Sequence, residues 1–474
     1  MKKQSKKDRS IWIVFITLAL LIIGTVIVIV SAISVREASC EHEYDHAITT
    51  VEASSFCVGE RRLHCKKCGD EITQRIHATI DMPQLYLDGV LDGISKSSEC
   101  FARATYVDGK DSTETYASIK YQGHTSILFD KKNYTIKFYT DESRRTKHKI
   151  SVNGWEPTHK YCLKANYIDF SGARNVVSAS IWSDVVASRA QLNESIAQLE
   201  FYGGIDGFPV ALFINGEYQG LYTFNIPKDE RTYNIADNEN EAMFVINSDF
   251  SDSANFKAEM TEEDKKTVFD LEYSYLDDKV WPYERMNDLL RFVKVADGET
   301  FRTGIGEYLD VNAAIDYLIT AYVLGATDNF SKNMILLTYN GKQWIPNMYD
   351  LDTACGLAFD GSSFEKADFC MPSISKSGEI SSGTENLLWD KLLNNYSEEF
   401  KKRYFELRSD VLSNENLIAR YAAFIESVPA ECYRQEAVLY PNLPGHEVDQ
   451  LQQITAFLSE RGRLLDAVVD KFNK

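Results

Sequence analysis

The sequence predicts an α+β body of two lobes, preceded by one membrane-spanning helix and a small cysteine/histidine module. Three observations predict it. An uncharged run of 25 residues, Ile11–Val35, stands near the start of the chain. Cysteines and histidines then crowd between Cys40 and His77. From Pro83 to Asn225 strand-like alternation dominates, and helical periodicity dominates from Leu387 onward, in a chain of 474 residues that is too long for one small core. Hydrophobic residues at 44%, with 25 Phe and 26 Tyr, argue for folded structure and against disorder. The chain shows no collagen-like, proline-rich or solenoid repeat.

Residues 1–10 form a basic flank, with Lys2, Lys3, Lys6, Lys7 and Arg9 opposed only by Asp8. Residues 11–35 are long enough to cross a bilayer as a helix, and the flank keeps the N-terminus cytoplasmic by the positive-inside rule. The competing reading is a cleaved signal peptide, for which Ser31-Ala32-Ile33-Ser34 is a weak processing site. With an uncleaved anchor, everything after residue 36 faces outward. Taking the flank's +4 from the formal charge of −19 leaves −23 for the rest of the chain. Such a surface repels nucleic acid and anionic lipid and attracts basic partners, although plain solubility of an acidic outer domain produces the same charge.

Residues 36–80 form a separate module. Cys65-Lys66-Lys67-Cys68-Gly69 is a C-x-x-C knuckle whose turn points two sulfurs at one place. The second half of a tetrahedral site comes from two of Cys40, His42, Cys57 and His77; taken as four sulfurs, the set is Cys40, Cys57, Cys65 and Cys68. The module resembles the short Cys/His zinc-ribbon-like units of bacterial surface proteins. About forty residues bury little core, so a staple is expected, either a structural zinc or disulfides. The remaining cysteines, Cys100, Cys162, Cys355, Cys370 and Cys432, read as small buried hydrophobes.

The body divides into an N-lobe at 83–225 and a C-lobe at 226–474. Within the second, Asp229–Asn240 reads as a polar linker. Glu262–Glu307 reads as helical and broken at Trp281-Pro282, and Gly361–Gly383 as a flexible loop. The most informative stretch begins at Ala313, where an apolar helix to Leu324 delivers Asp328 onto a loop. Met334–Tyr339 then reads as a strand, Asn340-Gly341 as a tight turn, and Trp344–Tyr349 as the return strand. Asp328, Asn333 five residues later, and Asp350 and Asp352 at the hairpin's end are the arrangement that phosphoryl transfer needs. The first carboxylate orients a hydroxyl, while the asparagine and the later carboxylates hold Mg²⁺ against ATP phosphates. Taken alone, a D-x-x-x-x-N match is common in loops; its context is what makes it informative. No G-x-S-x-G, H-E-x-x-H, P-loop or Rossmann motif is present.

Several segments, in order, resemble the spore coat protein H (CotH) kinase family, over roughly residues 83 to 470. They are Ile119–Ser126 with Lys131–Phe138, Leu163–Asp169 with Ala173-Arg174-Asn175, Leu212–Tyr222, and Asp328–Gly356. The resemblance implies an atypical bilobal protein-kinase-like fold using ATP with Mg or Mn. It makes Asp328 the catalytic-loop aspartate, Asn333 the metal-side asparagine, and Asp350 and Asp352 the metal pair, with Gly356 turning the chain away. Lys137 would meet the phosphates, with Lys132 and Lys164 as further phosphate-side charges, and His124 lies in the glycine turn. It also implies a basic, Ser-rich protein substrate of coat or surface type. Two positions depart from the family: Gln122 stands where arginine is usual, and Asn225 where glutamate is usual. The first weakens the grip on phosphate and the second the contact between lobes. The alternative is a non-catalytic surface or adhesive module on the same fold.

Overall fold

The computed structural model describes residues 4–38, 40–123, 125–235 and 238–472, so His124 and the first three residues of the basic flank lie outside the described residues. The chain forms two compact units, Met1–Asp81 and Met82–Lys474.

In the first unit, the helix Gln4–Ala38 contains the apolar stretch Trp12–Val30, with a mean hydropathy of 3.2. By length and composition it fits a membrane span or a signal sequence. Three strands follow, β1 (Tyr44–Val51), β2 (Gly59–Cys65) and β3 (Glu71–Ile76), as an antiparallel sheet in that order. Ile48, Val51 and Ile72 are exposed, so the sheet has little apolar core of its own. The knuckle predicted at Cys65–Gly69 is the β2–β3 turn. The Gly69 N–H donates to the Cys65 carbonyl at 2.9 Å, and Gly69 takes φ +86°, which suits glycine.

In the second unit, seven strands close into a barrel. They are β4 (Gln84–Asp88), β5 (Cys100–Asp108), β6 (Asp111–Gln122), β7 (Asn133–Tyr139), β8 (Lys160–Lys164), β9 (Gly207–Ile214) and β10 (Glu217–Asn225). Their order is β10-β8-β7-β6-β5-β4-β9, and only β4 and β9 pair in parallel. Side chains alternate across the sheet with the two-residue period of strands. Ile119, Ile136, Tyr161, Leu163 and Phe224 share one fully buried face. The register places Lys120, Thr135, Lys137, Lys160, Cys162, Lys164 and Asn225 on the other face.

A second antiparallel sheet contains β11 (Ala242–Ile246), β12 (Phe269–Ser274), β13 (Met334–Thr338) and β14 (Ile345–Met348), ordered β12-β11-β13-β14. The predicted hairpin is β13–β14, and its turn is closed by Asn340 Oδ1, which accepts from the N–H groups of Lys342 (2.9 Å) and Gln343 (3.0 Å). The predicted helix spans Val311–Leu324. Asp310 caps it by accepting from the Ala313 N–H at 2.9 Å, and every residue from Ala313 to Leu324 is buried.

Three expectations change. The stretch expected to be helical, Glu262–Glu307, contains strand β12 between the short helix Asp264–Thr267 and the helix Val280–Val295. Pro282 does not break its helix; it sits in the first turn of Val280–Val295, where a missing N–H costs nothing. The stretch expected to be a flexible loop after the metal pair forms a short ladder of β15 (Ser373–Ile374) and β16 (Ile380–Ser381). Just before it, the fully buried Arg461 guanidinium donates to the carbonyls of Ala367 (3.0 Å), Phe369 (2.5 Å) and Cys370 (3.2 Å).

Candidate functional site

Helix Val311–Leu324 ends at Gly325 in the left-handed region, φ 60°. Gly325 and Gly356 both lie against the Phe457 ring, where a Cβ on either would sit 2.5 Å from ring carbons. The two loops that carry the acidic residues are thus packed on one side chain, closely enough to demand glycine. Asp328 lies in the single 3₁₀ turn Thr327–Phe330 and is half-buried. Asn333 and Asp350 are non-glycine residues at φ +55° and +53°, at the start of β13 and just after β14. Such strained conformations persist only where neighbours over-determine them.

Here the neighbours are visible. Asn333 Nδ2 donates to the Asp350 carbonyl at 3.3 Å, which leaves Oδ1 as its ligand-capable atom. The fully buried Asn329 donates to the carbonyls of Asn333 (3.3 Å) and Tyr349 (2.9 Å), bridging both ends of the hairpin. Tyr317 fixes Asn329 in turn by donating to its carbonyl at 2.7 Å. Asn175 accepts from the Leu351 N–H at 3.0 Å and holds the chain between Asp350 and Asp352.

Burial pushes the Asp352 carboxyl well above the usual range, and the charges of Asp350 and Asp328 push it further, with Lys164 only partly offsetting them. The three carboxylates thus repel one another. The donor set of Asp350, Asp352 and the Asn333 amide oxygen is one of hard oxygens, the chemistry that Mg²⁺ or Mn²⁺ takes. The residues present fit such an ion.

The three predicted lysines part company. Lys164, on β8, belongs with the acidic group: burial disfavours its ammonium, but Tyr349, Asp350 and Asp352 outweigh that and raise its pKa. Its Nζ lies 5.9 Å from the Tyr349 ring centroid and makes no hydrogen bond or salt bridge among the described residues. Lys137, on β7, is paired with Glu99 at 2.8 Å. Lys132 donates to the carbonyls of Ile127 (3.0 Å) and Phe129, closing the turn before β7.

Sequence reasoning passed over Lys332, whose Nζ is 2.7 Å from Asp328 Oδ2, and Lys228, which lies 4.9 Å from the Tyr349 centroid and pairs with Glu272. Lys332 follows Asp328 by four residues, a spacing that could have singled it out. At the two departures from the family, Gln122 Oε1 and both amide atoms of the buried Asn225 have no hydrogen-bond partner among the described residues. Neutral amides tolerate that position more cheaply than unpaired charges would.

In the first unit, Cys40, His42, Cys65 and Cys68 bring their ligand-capable atoms within 4.8 Å of one another, a group able to hold a metal ion. Cys57 is exposed and outside this group, because β1 and β2 carry the Ser54–Cys57 turn away from the knuckle; His42 is the fourth member of the group instead. Burial opposes ionisation of Cys65, yet backbone hydrogen bonds at Cys68, Glu43 and Lys67, and the His42 ring, lower its pKa to about 5. Cys100, Cys162, Cys355 and Cys432 are buried free thiols, and Cys370 is half-buried.

A loop aspartate, an asparagine at positive φ and two further aspartates thus gather around the two ends of one hairpin. Residues 119–465, well over half of the chain, match the family model described as CotH kinase protein, and the chain belongs to that family. Compared with curated proteins, the chain gives no match.

Proposed function

We propose that this chain is a kinase that transfers the γ-phosphoryl group of ATP to Ser or Thr hydroxyls of extracytoplasmic coat or surface proteins. In this reading the barrel region, 83–225, serves as the N-lobe and 226–474 as the C-lobe. The N-terminal helix remains as an anchor with its basic flank in the cytoplasm. The substrate is a basic, Ser-rich protein, in keeping with the acidic outer charge.

The observation that carries the reading is the meeting of Asp328, Asn333, Asp350 and Asp352 with Lys164, which makes no hydrogen bond or ion pair among the described residues. Asp350, Asp352 and Asn333 Oδ1 would hold the divalent ion, which would supply positive charge against the phosphates. Lys164 meets the phosphates. It is preferred to Lys137 and Lys132 because their ammonium groups are already engaged by Glu99 and by turn carbonyls. Asp328 orients the substrate hydroxyl and takes its proton as the oxygen attacks the γ-phosphorus and the bond to the ADP oxygen breaks.

The second reading, a binding module without catalysis, is favoured by Gln122 and Asn225, which replace the charged residues usual in the family. One experiment separates them. Purified protein is incubated with labelled ATP, Mg²⁺ or Mn²⁺ and a basic Ser-rich protein, beside Asp328→Asn. Transfer by the parent, reduced by roughly two orders of magnitude or more in the variant with ATP binding retained, supports the kinase. No transfer by either, with equal binding to one surface partner, supports the module.

A further inference from the structure

The cysteine/histidine group of the first unit is independent of the phosphate site and takes no part in the reading above. Its geometry points to a structural zinc site of three sulfurs and one nitrogen, formed by Cys40, His42, Cys65 and Cys68. Two edges of the polyhedron can be measured directly: Cys40 Sγ to Cys65 Sγ is 3.8 Å and Cys68 Sγ to His42 Nδ1 is 3.3 Å. A tetrahedral zinc with bonds of about 2.3 Å to sulfur and about 2.0 Å to nitrogen sets its ligands roughly 3.5 to 3.8 Å apart. The observed edges are near those values.

Ligand count argues the same way. Three sulfurs cannot all be consumed by disulfides within the group, since one thiol is always left over, whereas one ion uses every member. Thiolate and imidazole donors select zinc over the hard cations that suit Asp350 and Asp352. Four protein ligands fill the tetrahedron and leave no open position, so the ion is structural and not catalytic.

The surroundings are those of a ligating group. Cys65 is fully buried at the end of β2, while the knuckle turn brings Cys68 back beside it. Asp70 Oδ2 lies 3.8 Å from His42 Nδ1 and is held by the Tyr44 hydroxyl at 2.7 Å, and the Tyr44 ring stacks on that of His42 at 5.4 Å. The stacked Tyr44 ring fixes the plane of the imidazole, and Asp70 lies on the side of Nδ1, the nitrogen that faces Cys68 Sγ. The ion would tie residues preceding β1 to the β2–β3 turn, in a sheet whose apolar side chains are largely exposed. Binding free energy at such a site is folding free energy for the sheet.

The test uses the full chain in detergent under reducing conditions, supplied with zinc, desalted, and measured by elemental analysis. One zinc per chain is expected, lost in Cys65→Ser and strongly reduced in His42→Ala. Cys57→Ser should keep the full equivalent, since that thiol is exposed and outside the group. His42→Cys should also keep it, and cobalt in place of zinc should show a shifted visible absorption when the nitrogen donor becomes sulfur. Because these last two variants leave the site complete, they remain informative if the others fail to fold. The proposal is overturned if the parent binds no zinc, if Cys57→Ser loses it, if the cobalt spectrum ignores His42→Cys, or if peptide mapping finds Cys65 in a disulfide.

Discussion

Lys332 Nζ lies 2.7 Å from Asp328 Oδ2, four residues along the loop that enters β13. Burial works against this ammonium, but Asp328, Asp249 and Asp352 outweigh it and raise its pKa. The carboxylate assigned to orient the substrate hydroxyl is therefore already held in one direction, by a cation from its own loop. In the proposed reaction, a lysine so placed would position Asp328 and add positive charge beside the transferred group.

Replacing that cation gives the first expected outcome. Lys332→Met should lower kcat for phosphoryl transfer about tenfold to a hundredfold, with little change in KM for ATP. Lys332→Arg, which keeps the charge, should restore part of the loss. A variant that raises KM alone would make Lys332 a nucleotide ligand and leave Asp328 positioned by other means.

Asp350 supplies the second. In the proposed reading its carboxylate acts through the ion, so Asp350→Asn should weaken ATP binding in the presence of Mg²⁺ or Mn²⁺ and leave it nearly unchanged in chelator. Calorimetry or nucleotide fluorescence with and without metal measures this directly. Parent affinity that is itself independent of metal would remove Asp350 from the site.

Much of this was legible in the sequence. The all-apolar helix Val311–Leu324, the β13–β14 hairpin and its Asn340-Gly341 turn follow from local periodicity and turn chemistry, which act over a few residues. The alternation of β6, β7 and β8 was equally readable, but their closure into a barrel through the parallel β4–β9 pair was not, because that contact joins segments more than a hundred residues apart. The lysines show the same limit. Lys137 and Lys164 look alike as strand residues, and only the place of Glu99 in space reveals that Lys137 is paired while Lys164 makes no hydrogen bond or ion pair among the described residues. Cys57 and His42 traded places for the same reason. Spacing names candidate ligands, while the path of β1 and β2 chooses among them.

The third outcome concerns a buried ion pair. Lys131 and Glu436 are both almost fully buried, their charged atoms 2.5 Å apart, joining the start of β7 to the helix Ala430–Leu439. The pair is also hydrogen-bonded: Lys131 donates to the Ala165 carbonyl at 2.9 Å, and Glu436 accepts from the Leu221 N–H at 2.8 Å. Removing one partner strands the other charge, so Lys131→Met or Glu436→Gln should each cost about 3–5 kcal/mol. The double replacement should cost less than the sum of the two, a coupling that a denaturation cycle reads. Simple additivity would show that the two charges are solvated separately.

The last outcome is a dependence of stability on pH traced to His159, next to β8. Burial lowers its pKa to about 4, and the positive charges of Lys147, Arg231 and Lys137 reinforce the shift against the opposing pull of Asp229. Its Nδ1 has no hydrogen-bond partner among the described residues. In the unfolded chain the ring takes up a proton near its ordinary value of about 6.5. Between about 6.5 and about 4 the unfolded state therefore binds a proton that the folded state refuses. The contribution of this ring is fully present above that window and is lost as pH falls through it, at no more than about 1.4 kcal/mol per pH unit. Other carboxyl groups titrate below pH 5, so the comparison that isolates His159 is between parent and His159→Phe. The parent's unfolding midpoint should drop more steeply from pH 7 to pH 5 than the variant's. Equal slopes would mean that His159 gains its proton in the folded protein as readily as in the unfolded one.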